Sequence, residues 1–334
     1  MNLEIRMKKV CIVGCGAAGL LLLYNLEKNG VSPDQVIVID PTLCGGDLSE
    51  KWCCVKSNTV WGQLLSAVPY KGELPMRWSS FNKDEPCSLR HYIDYLKEVV
   101  KSYLSQCEIH CTLATKGWYE NDKWNLQLKV PNTTLTADIL LMATGSEPKH
   151  LNLPYPSIPL CTALNRDKVK EYVKRDDHIL VFGTAHSATL IVRNLLDCGA
   201  SVTNFYATPK PFYFDRDGDY DGLKQDAAEI ADRILRNELP VKMVSIQDTA
   251  GVIRHTKKVD GVVYAIGFEA RNPLGLKEYN EQTGQLVGYK NAWGFGIAYP
   301  NRAPDGVHWD VSIPAFQVHI ERQMPAILSQ LRIE

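Results

Sequence analysis

VCIVGCGAAGLLLLYNLEKNGVSPDQVIVID, residues 10–40, is the stretch from which the rest of the chain can be read. Val10 to Val13 and Val36 to Ile39 are apolar runs of buried-strand length. Between them Gly14-Cys-Gly16-Ala17-Ala18-Gly19 opens a helical stretch from Leu20 to Asn29. Strand, glycine turn, helix and strand in that order make a βαβ unit with the G-x-G-x-x-G spacing of a dinucleotide site. Gly14 makes the tight turn, Gly16 lets a pyrophosphate approach the backbone, and Gly19 lets helix and strand pack closely. Ala17 and Ala18 lie where the helix presents free N–H groups and about half a positive charge to phosphates. Asp40, 21 positions beyond Gly19, is placed to accept from ribose hydroxyls.

The same pattern returns further on. Ala137 to Ala143 is an apolar strand that stops at Thr144-Gly145, and a Pro-punctuated segment, Leu151 to Pro159, reads as an interdomain crossing. Then come a strand (His178 to Phe182), a turn (Gly183-Thr184-Ala185-His186-Ser187-Ala188), a helix (Thr189 to Asp197) and a strand (Val202 to Tyr206). A last apolar run, Val259 to Phe268, ends at Ala265-Ile-Gly267 as the earlier one ends at Ala143-Thr-Gly145. The chain is therefore expected to be α/β, with two Rossmann-like three-layer dinucleotide-binding domains, one inserted in the other. Residues 1–155 and 276–334 form the outer domain and 156–275 the inserted one.

Composition agrees with that architecture. The 334 residues suffice for about two domains at roughly 100–200 residues each. A hydrophobic share of 45% and a charged share of 22% are those of a soluble globular protein. With 37 basic against 38 acidic residues there is no electrostatic footprint for nucleic acid or an anionic membrane. Lys8 and Lys9 ahead of an apolar run mimic a signal peptide, but the glycines and Tyr24, Asn25 and Glu27 interrupt it, so a cytoplasmic protein is expected. The 10 cysteines are scattered and are read as reduced thiols, and none is spaced as a metal site. The acidic run Asp215 to Gly222 lacks the Glu and the preceding helix of a calcium loop and reads as a solvated turn, with a lid or substrate loop as its functional rival.

The arrangement resembles the flavoproteins with two dinucleotide-binding domains, a group that includes thioredoxin-reductase-like and glutathione-reductase-like enzymes and flavin-containing monooxygenases. The likeness runs through essentially the whole chain. It implies FAD on the first unit, at Gly14 to Gly19, Asp40, Thr144 and Gly145. It implies NADPH, or NADH, on the second, at Gly183, Thr184, His186, Ser187 and Ala188. Ala185 stands where the middle glycine belongs and adds a methyl at the pyrophosphate approach. No acid ends the strand after this turn, and Lys210 can receive a 2′-phosphate, which favours NADPH. The Gly-Asp pair usual near the C-terminus is missing from Trp293-Gly-Phe-Gly-Ile-Ala. A final helix opens at Ser312 and Ile313, and in the resembling folds its N-terminus points at the flavin.

The chemistry turns on residues 45–63. A thioredoxin-type reductase needs Cys-x-x-Cys in the second unit, where Cys198 stands alone. On the glutathione-reductase pattern Cys53 matches the second cysteine, but Leu48 takes the place of the first. A single-thiol scheme through Cys53 or Cys54, or a vicinal disulfide between them, is what survives of thiol chemistry. The segment with Asn58 and Gln63 is more similar to flavin-containing and N-hydroxylating monooxygenases, the two amides supplying polar contacts and Trp52, Trp61 and Trp78 dry walls. Each Trp has core packing as its other reading. The expectation is an FAD monooxygenase that uses O2 on a small-molecule substrate, with homodimerisation left open. The alternatives are an NAD(P)H-dependent reductase of a quinone, ferredoxin or disulfide, and a non-catalytic FAD-binding protein.

Overall fold

The computed structural model describes residues 8–212, 215–216, 219–220, 223, 226–303, 306 and 309–331. The chain divides into two compact units, Met1–Ser146 with Ala270–Glu334, and Glu147–Glu269.

The first unit opens with β1 (Val10–Val13), α1 (Ala17–Lys28) and β2 (Val36–Ile39). There follow α2 (Asp47–Glu50), α3 (Trp61–Ala67), α4 (Met76–Ser79), α5 (Leu89–Leu104) and β3 (Glu108–His110). Ser88 caps α5, its side chain accepting from the His91 N–H. An antiparallel meander of β4 (Ala114–Glu120), β5 (Lys123–Leu128) and β6 (Thr134–Ala137) precedes β7 (Ile139–Met142). Through β8 (Ser146–Pro148) the chain then leaves for the second unit.

In that unit α6 (Leu160–Leu164) precedes β9 (His178–Phe182), α7 (His186–Asp197) and β10 (Ser201–Tyr206). The backbone of β11 (Asp215–Arg216) pairs with that of β12 (Asp219–Tyr220), and the remainder of the acidic run 215–222 lies outside the described residues. Next come α8 (Asp226–Leu235), β13 (Val241–Ser245), α9 (Thr249–His255) and β14 (Gly261–Tyr264). The Pro-punctuated stretch belongs to this unit: Ile158 N–H donates to Val262 O at 2.8 Å and Val262 N–H to Pro156 O at 2.9 Å. The chain returns through β15 (Phe268–Ala270) to β16 (Ala292–Gly294), β17 (Asn301–Arg302), β18 (Trp309–Asp310) and α10 (Ile313–Leu331).

The main sheet of the first unit runs β16-β7-β1-β2-β3, every pair parallel. Residues of β1, β2 and β7 are buried throughout, as a sheet covered on both faces requires. Alternation sorts them. Val10 and Ile12 join the core under α1, α5 and α10, while Cys11 and Val13 join that of Trp124, Leu126 and Leu128 on β5. In the second unit the order is β13-β10-β9-β14, also parallel, and repeats the β3-β2-β1-β7 part of the first. Both sheets are thus half-copies of one design, with a glycine turn after the central strand.

α10 lies along α1. Between them two buried amides bond reciprocally: Asn25 Nδ2 donates to Gln317 Oε1 at 2.8 Å and Gln317 Nε2 to Asn25 Oδ1 at 3.3 Å. Two residues on, His319 is buried against Phe295, ring centroids 5.4 Å apart, with neither ring nitrogen hydrogen-bonded among the described residues. Burial, with Arg322 adding to it, pushes its pKa from 6.5 down to about 4. The folded imidazole therefore stays neutral where the unfolded one is protonated, and stability falls as pH drops from 6.5 towards 4. By pH 4.5 the loss should reach about 2–3 kcal/mol. His319→Leu should remove that part of the pH dependence in urea unfolding at pH 7 and pH 4.5. An unchanged difference between the two pH values would sink the assignment.

Candidate functional site

After β1 the turn is built by backbone geometry. Gly14 N–H donates to Ile39 O at 2.8 Å and Ala143 N–H to Val13 O at 2.8 Å, so the turn is wedged between β2 and β7. Gly14 has φ +103°, and a Cβ there would lie 2.3 Å from the Ala143 carbonyl oxygen. A Cβ at Gly19 would lie 2.1 Å from Gly14 O, which is the close helix–strand approach the motif demands. Gly16 differs. Its backbone, φ −76° and ψ −164°, suits any residue, and a Cβ would meet nothing nearer than Gly45 O at 3.8 Å. The missing side chain leaves a cradle that the protein itself does not fill. Next to it α1 begins with no side-chain cap and no acidic residue in its first turn. The N–H groups of Ala17, Ala18 and Gly19 precede the first helical bond, Leu20 N–H to Gly16 O. This is an anion cradle that fits the pyrophosphate of a dinucleotide.

The carboxylate of Asp40 is buried and serves the loops around the turn. Its Oδ2 accepts from Cys15 N–H at 2.7 Å, and its Oδ1 from Thr42 N–H at 3.0 Å and Leu43 N–H at 2.8 Å. It clips the end of β2 to the glycine loop, a role the sequence did not show. Within the loop Cys15 is inaccessible, its thiol pushed up to about 12 by burial and then by Asp40.

Thr144 and Gly145 form the turn after β7. Thr144 Oγ1 donates to Arg271 O at 2.7 Å and Arg271 N–H to Gly145 O at 3.0 Å. Arg271 Nη2 stands 2.6 Å from Asp47 Oδ2, which also holds Lys51 Nζ at 3.2 Å. Arg271 and Asp47, 224 positions apart, escaped the sequence reading. At the other end of the unit Ser312 caps α10, its Oγ accepting from Ala315 N–H at 3.2 Å and its carbonyl from Phe316 N–H at 2.9 Å. Ile313, the first residue of that helix, is buried.

Residues 55–62 run beside 83–89 as a pinned strip. Leu89 N–H donates to Val55 O, Ser57 N–H to Cys87 O and Trp61 N–H to Glu85 O, each at 2.9 Å, and Gly62 N–H to Lys83 O at 2.8 Å. Tyr92 OH closes onto Thr59 O at 2.5 Å. On this strip Asn58 is exposed, its Oδ1 touched among the described residues only by the Thr59 hydroxyl at 3.4 Å. Gln63, on α3, is also exposed and makes no side-chain hydrogen bond among the described residues. The aromatic residues go elsewhere. Trp61 is fully buried, with the rings of Trp78, Phe81, Tyr92 and Tyr95 at 5.2–5.9 Å, and its indole N–H donates to Trp78 O at 3.2 Å. Trp61 and Trp78 are core of the α3–α5 layer, the reading favoured over walls of a site; Trp52 is buried too. The Sγ atoms of Cys53 and Cys54 lie 3.5 Å apart, in contact but not joined.

In the second unit the turn repeats the first. Gly183 has φ +105°, and a Cβ there would lie 2.2 Å from Ala265 O. Gly183 N–H donates to Phe205 O at 2.9 Å and Ala265 N–H to Phe182 O at 2.8 Å. Ala185, φ −83° and ψ −175°, keeps the backbone of Gly16 with its methyl exposed. Thr184, His186 and Ser187 are half-buried around it, and His186 is the first residue of α7. Ala188 is fully buried, so this turn makes room for the methyl that Gly19 lacks. Asn204 is buried within β10 and holds the turn from below, Nδ2 donating to Val181 O at 3.0 Å and Gly183 O at 2.7 Å. Lys210 is exposed, its carbonyl accepting from Thr208 Oγ1 at 2.8 Å. Among the described residues no three His, Cys, Asp or Glu gather to hold a metal ion, and no helix is long and apolar enough to cross a membrane.

Known proteins share this arrangement. The family model for pyridine nucleotide-disulphide oxidoreductases matches residues 8–288. Among solved structures, the bacillithiol disulfide reductase Bdr (YpdA) of Staphylococcus aureus superposes with a TM-score of 0.69 at 15% identity, covering 98% of this chain and 100% of that one. DfoA, the FAD-bound cadaverine monooxygenase of Erwinia amylovora desferrioxamine biosynthesis, gives 0.68 at 12% identity over 98% and 94%. The thioredoxin reductase of T. acidophilum gives 0.59 at 14% over 96% and 98%. A search of the curated proteins found no match. Likeness at these identities is a likeness of fold, whereas the family match spans most of the sequence. The protein is an FAD- and NAD(P)H-dependent oxidoreductase, and the chain belongs to the pyridine nucleotide-disulphide oxidoreductase family.

Proposed function

We propose that this oxidoreductase is a monooxygenase: NAD(P)H, a proton, O2 and a small-molecule substrate give NAD(P)+, the oxygenated substrate and water. The target atom is a nitrogen, a sulfur or an activated carbon. The flavin, when bound, supplies the redox chemistry, and the chain supplies position. The cradle at Gly16 and the first N–H groups of α1 hold its pyrophosphate, and Asp40 Oδ2, which accepts one hydrogen bond, has a lone pair left for a ribose hydroxyl. The second turn, at Gly183 to Ala188, takes the nicotinamide nucleotide, with Lys210 toward a 2′-phosphate.

The observation that carries this reading is the Asn58 strip. Four backbone bonds to residues 83–89 and the Tyr92 hydroxyl fix the segment, yet the Asn58 amide has almost nothing to do for the fold. A rigidly held, uncommitted amide is what orienting a reacting polar group requires. The fold is shared with DfoA, a monooxygenase, as it is with disulfide reductases, so the choice rests on the Asn58 strip.

The test is reduction of the holoenzyme by NADPH without oxygen, then rapid mixing with O2 while the visible spectrum is recorded. A transient distinct from both oxidised and reduced flavin is expected. Direct return to the oxidised spectrum, with turnover on quinone, ferredoxin or disulfide acceptors, would replace this reading with a reductase. Asn58→Ala should go on consuming NAD(P)H but waste it as peroxide. Its yield of oxygenated product per NAD(P)H should fall about tenfold, some 1.4 kcal/mol of lost discrimination. An unchanged yield would remove Asn58 from the site.

A further inference from the structure

At the start of the Asn58 strip, Val55 N–H donates to Trp52 O at 3.0 Å, and this turn has Cys53 and Cys54 as its two central residues. Their Sγ atoms are 3.5 Å apart, Cys54 is exposed and Cys53 half-buried. No other two thiols among the described residues are in contact. Five of the remaining cysteines, Cys11, Cys15, Cys87, Cys107 and Cys198, have thiols pushed up by burial, to about 12 at Cys15 and Cys87. Closing a bond from 3.5 Å to the roughly 2.05 Å of a disulfide needs a shift of about 1.5 Å. The product would be strained, because adjacent Cα atoms lie about 3.8 Å apart, inside the usual span of about 4.4–6.8 Å. Strained, exposed disulfides are the readily reduced ones, suited to reversible control.

We propose that Cys53 and Cys54 form a peroxide-sensitive dithiol whose oxidation turns the enzyme down by displacing the Asn58 strip. The Cys54 sulfur attacks one peroxide oxygen, an S–O bond forms as the O–O bond breaks, and one water leaves. The Cys53 sulfur then attacks the Cys54 sulfur, the S–S bond forms as the S–O bond breaks, and a second water leaves. One H2O2 is reduced to two waters and two thiols are oxidised to a disulfide, which an external dithiol reverses. Ring closure must rotate the peptide between the two residues at the centre of the turn. Val55 is bonded to Leu89, Lys56 pairs with Ser88 and Ser57 is bonded to Cys87, so the segment cannot absorb the rotation locally: either these bonds break or the paired strip moves as one, and both displace Asn58. The effect on turnover rests on the role proposed for Asn58, whereas the oxidation itself does not.

The holoenzyme is treated with stoichiometric H2O2 and freed of it, then digested for mass spectrometry and assayed for oxygenated product per NADPH consumed, relative to the same protein untreated. The peptide carrying both residues should lose two hydrogens, and the yield should fall at least about tenfold, as for Asn58→Ala. Dithiothreitol should reverse both changes. In Cys54→Ser the loss of hydrogens should vanish and the treated-to-untreated ratio stay near one. Cys53→Ser should leave a sulfenic acid on Cys54 that dimedone traps. A peptide that remains dithiol, or that gains oxygen without forming the disulfide, overturns the proposal. So does a disulfide with unchanged product yield; if Asn58→Ala has still cut that yield, the failure belongs to the switch and not to the role of Asn58.

Discussion

Gly16→Val is expected to yield a folded, colourless protein. The backbone at Gly16 is extended, and a Cβ there meets no protein atom nearer than Gly45 O at 3.8 Å, so the backbone and the first side-chain atom suit the fold. What the added methyls occupy is the cradle in front of the first N–H groups of α1, where the pyrophosphate has to come within hydrogen-bonding distance of the backbone. A branched side chain holds the phosphates off by more than a hydrogen bond can stretch. Affinity for FAD should fall at least about a hundredfold, or 2.7 kcal/mol. Flavin content after purification and titration of the apoprotein with FAD measure it, with the melting temperature of the apoprotein as the control for folding. A yellow, stoichiometrically loaded variant that melts like the parent would refute the cradle.

For Gly14→Ala the expected loss is of the fold itself. Here a single methyl lies 2.3 Å from the Ala143 carbonyl oxygen, and the φ of +103° strains any residue with a Cβ. Neither strand can yield cheaply, since Gly14 N–H is bonded to Ile39 and Ala143 N–H to Val13 in a sheet buried on both faces. Overpacking and left-handed strain together should cost about 2–5 kcal/mol, a large share of a typical domain's stability. Urea unfolding of the apoprotein, where no ligand contributes, is the measurement. Gly183→Ala is the matching variant in the second unit, with its methyl 2.2 Å from Ala265 O. A loss below about 1 kcal/mol in both would mean the turns relax in a way this geometry does not allow. Gly14 and Gly16, two positions apart, are thus expected to fail differently, the first in folding and the second in flavin content.

Elements whose causes are local could be read from the sequence. The strand before the first turn, the turn, α1 and β2 need only residues within about thirty positions of each other, and the alternation that sends Val10 and Ile12 to one core and Cys11 and Val13 to the other is already in the order of residues. The meander from Ala114 to Ala137 was not legible, because its first strand is mostly exposed and alternates poorly. Trp61 and Trp78 could be assigned to a core or a site with equal chemistry, and only the ring packing around them chose the core. Asn204 reads in sequence as a polar residue in a strand and becomes the support of a nucleotide turn once Gly183 O lies 2.7 Å away.

By itself the sequence determined that the chain carries two nucleotide turns, where they lie, and which glycines make them. That information is local because φ, a missing Cβ and a helix N-terminus act within a few residues. Tertiary structure decided what surrounds the turns: Arg271 on Asp47, the Asn25–Gln317 amide pair, the strip that fixes Asn58, and the closeness of Asn204 to Gly183. Those partners lie from about twenty to nearly three hundred positions apart and share no local signature. Packing the two faces of each parallel sheet selects them, so they emerge only when the whole chain has folded.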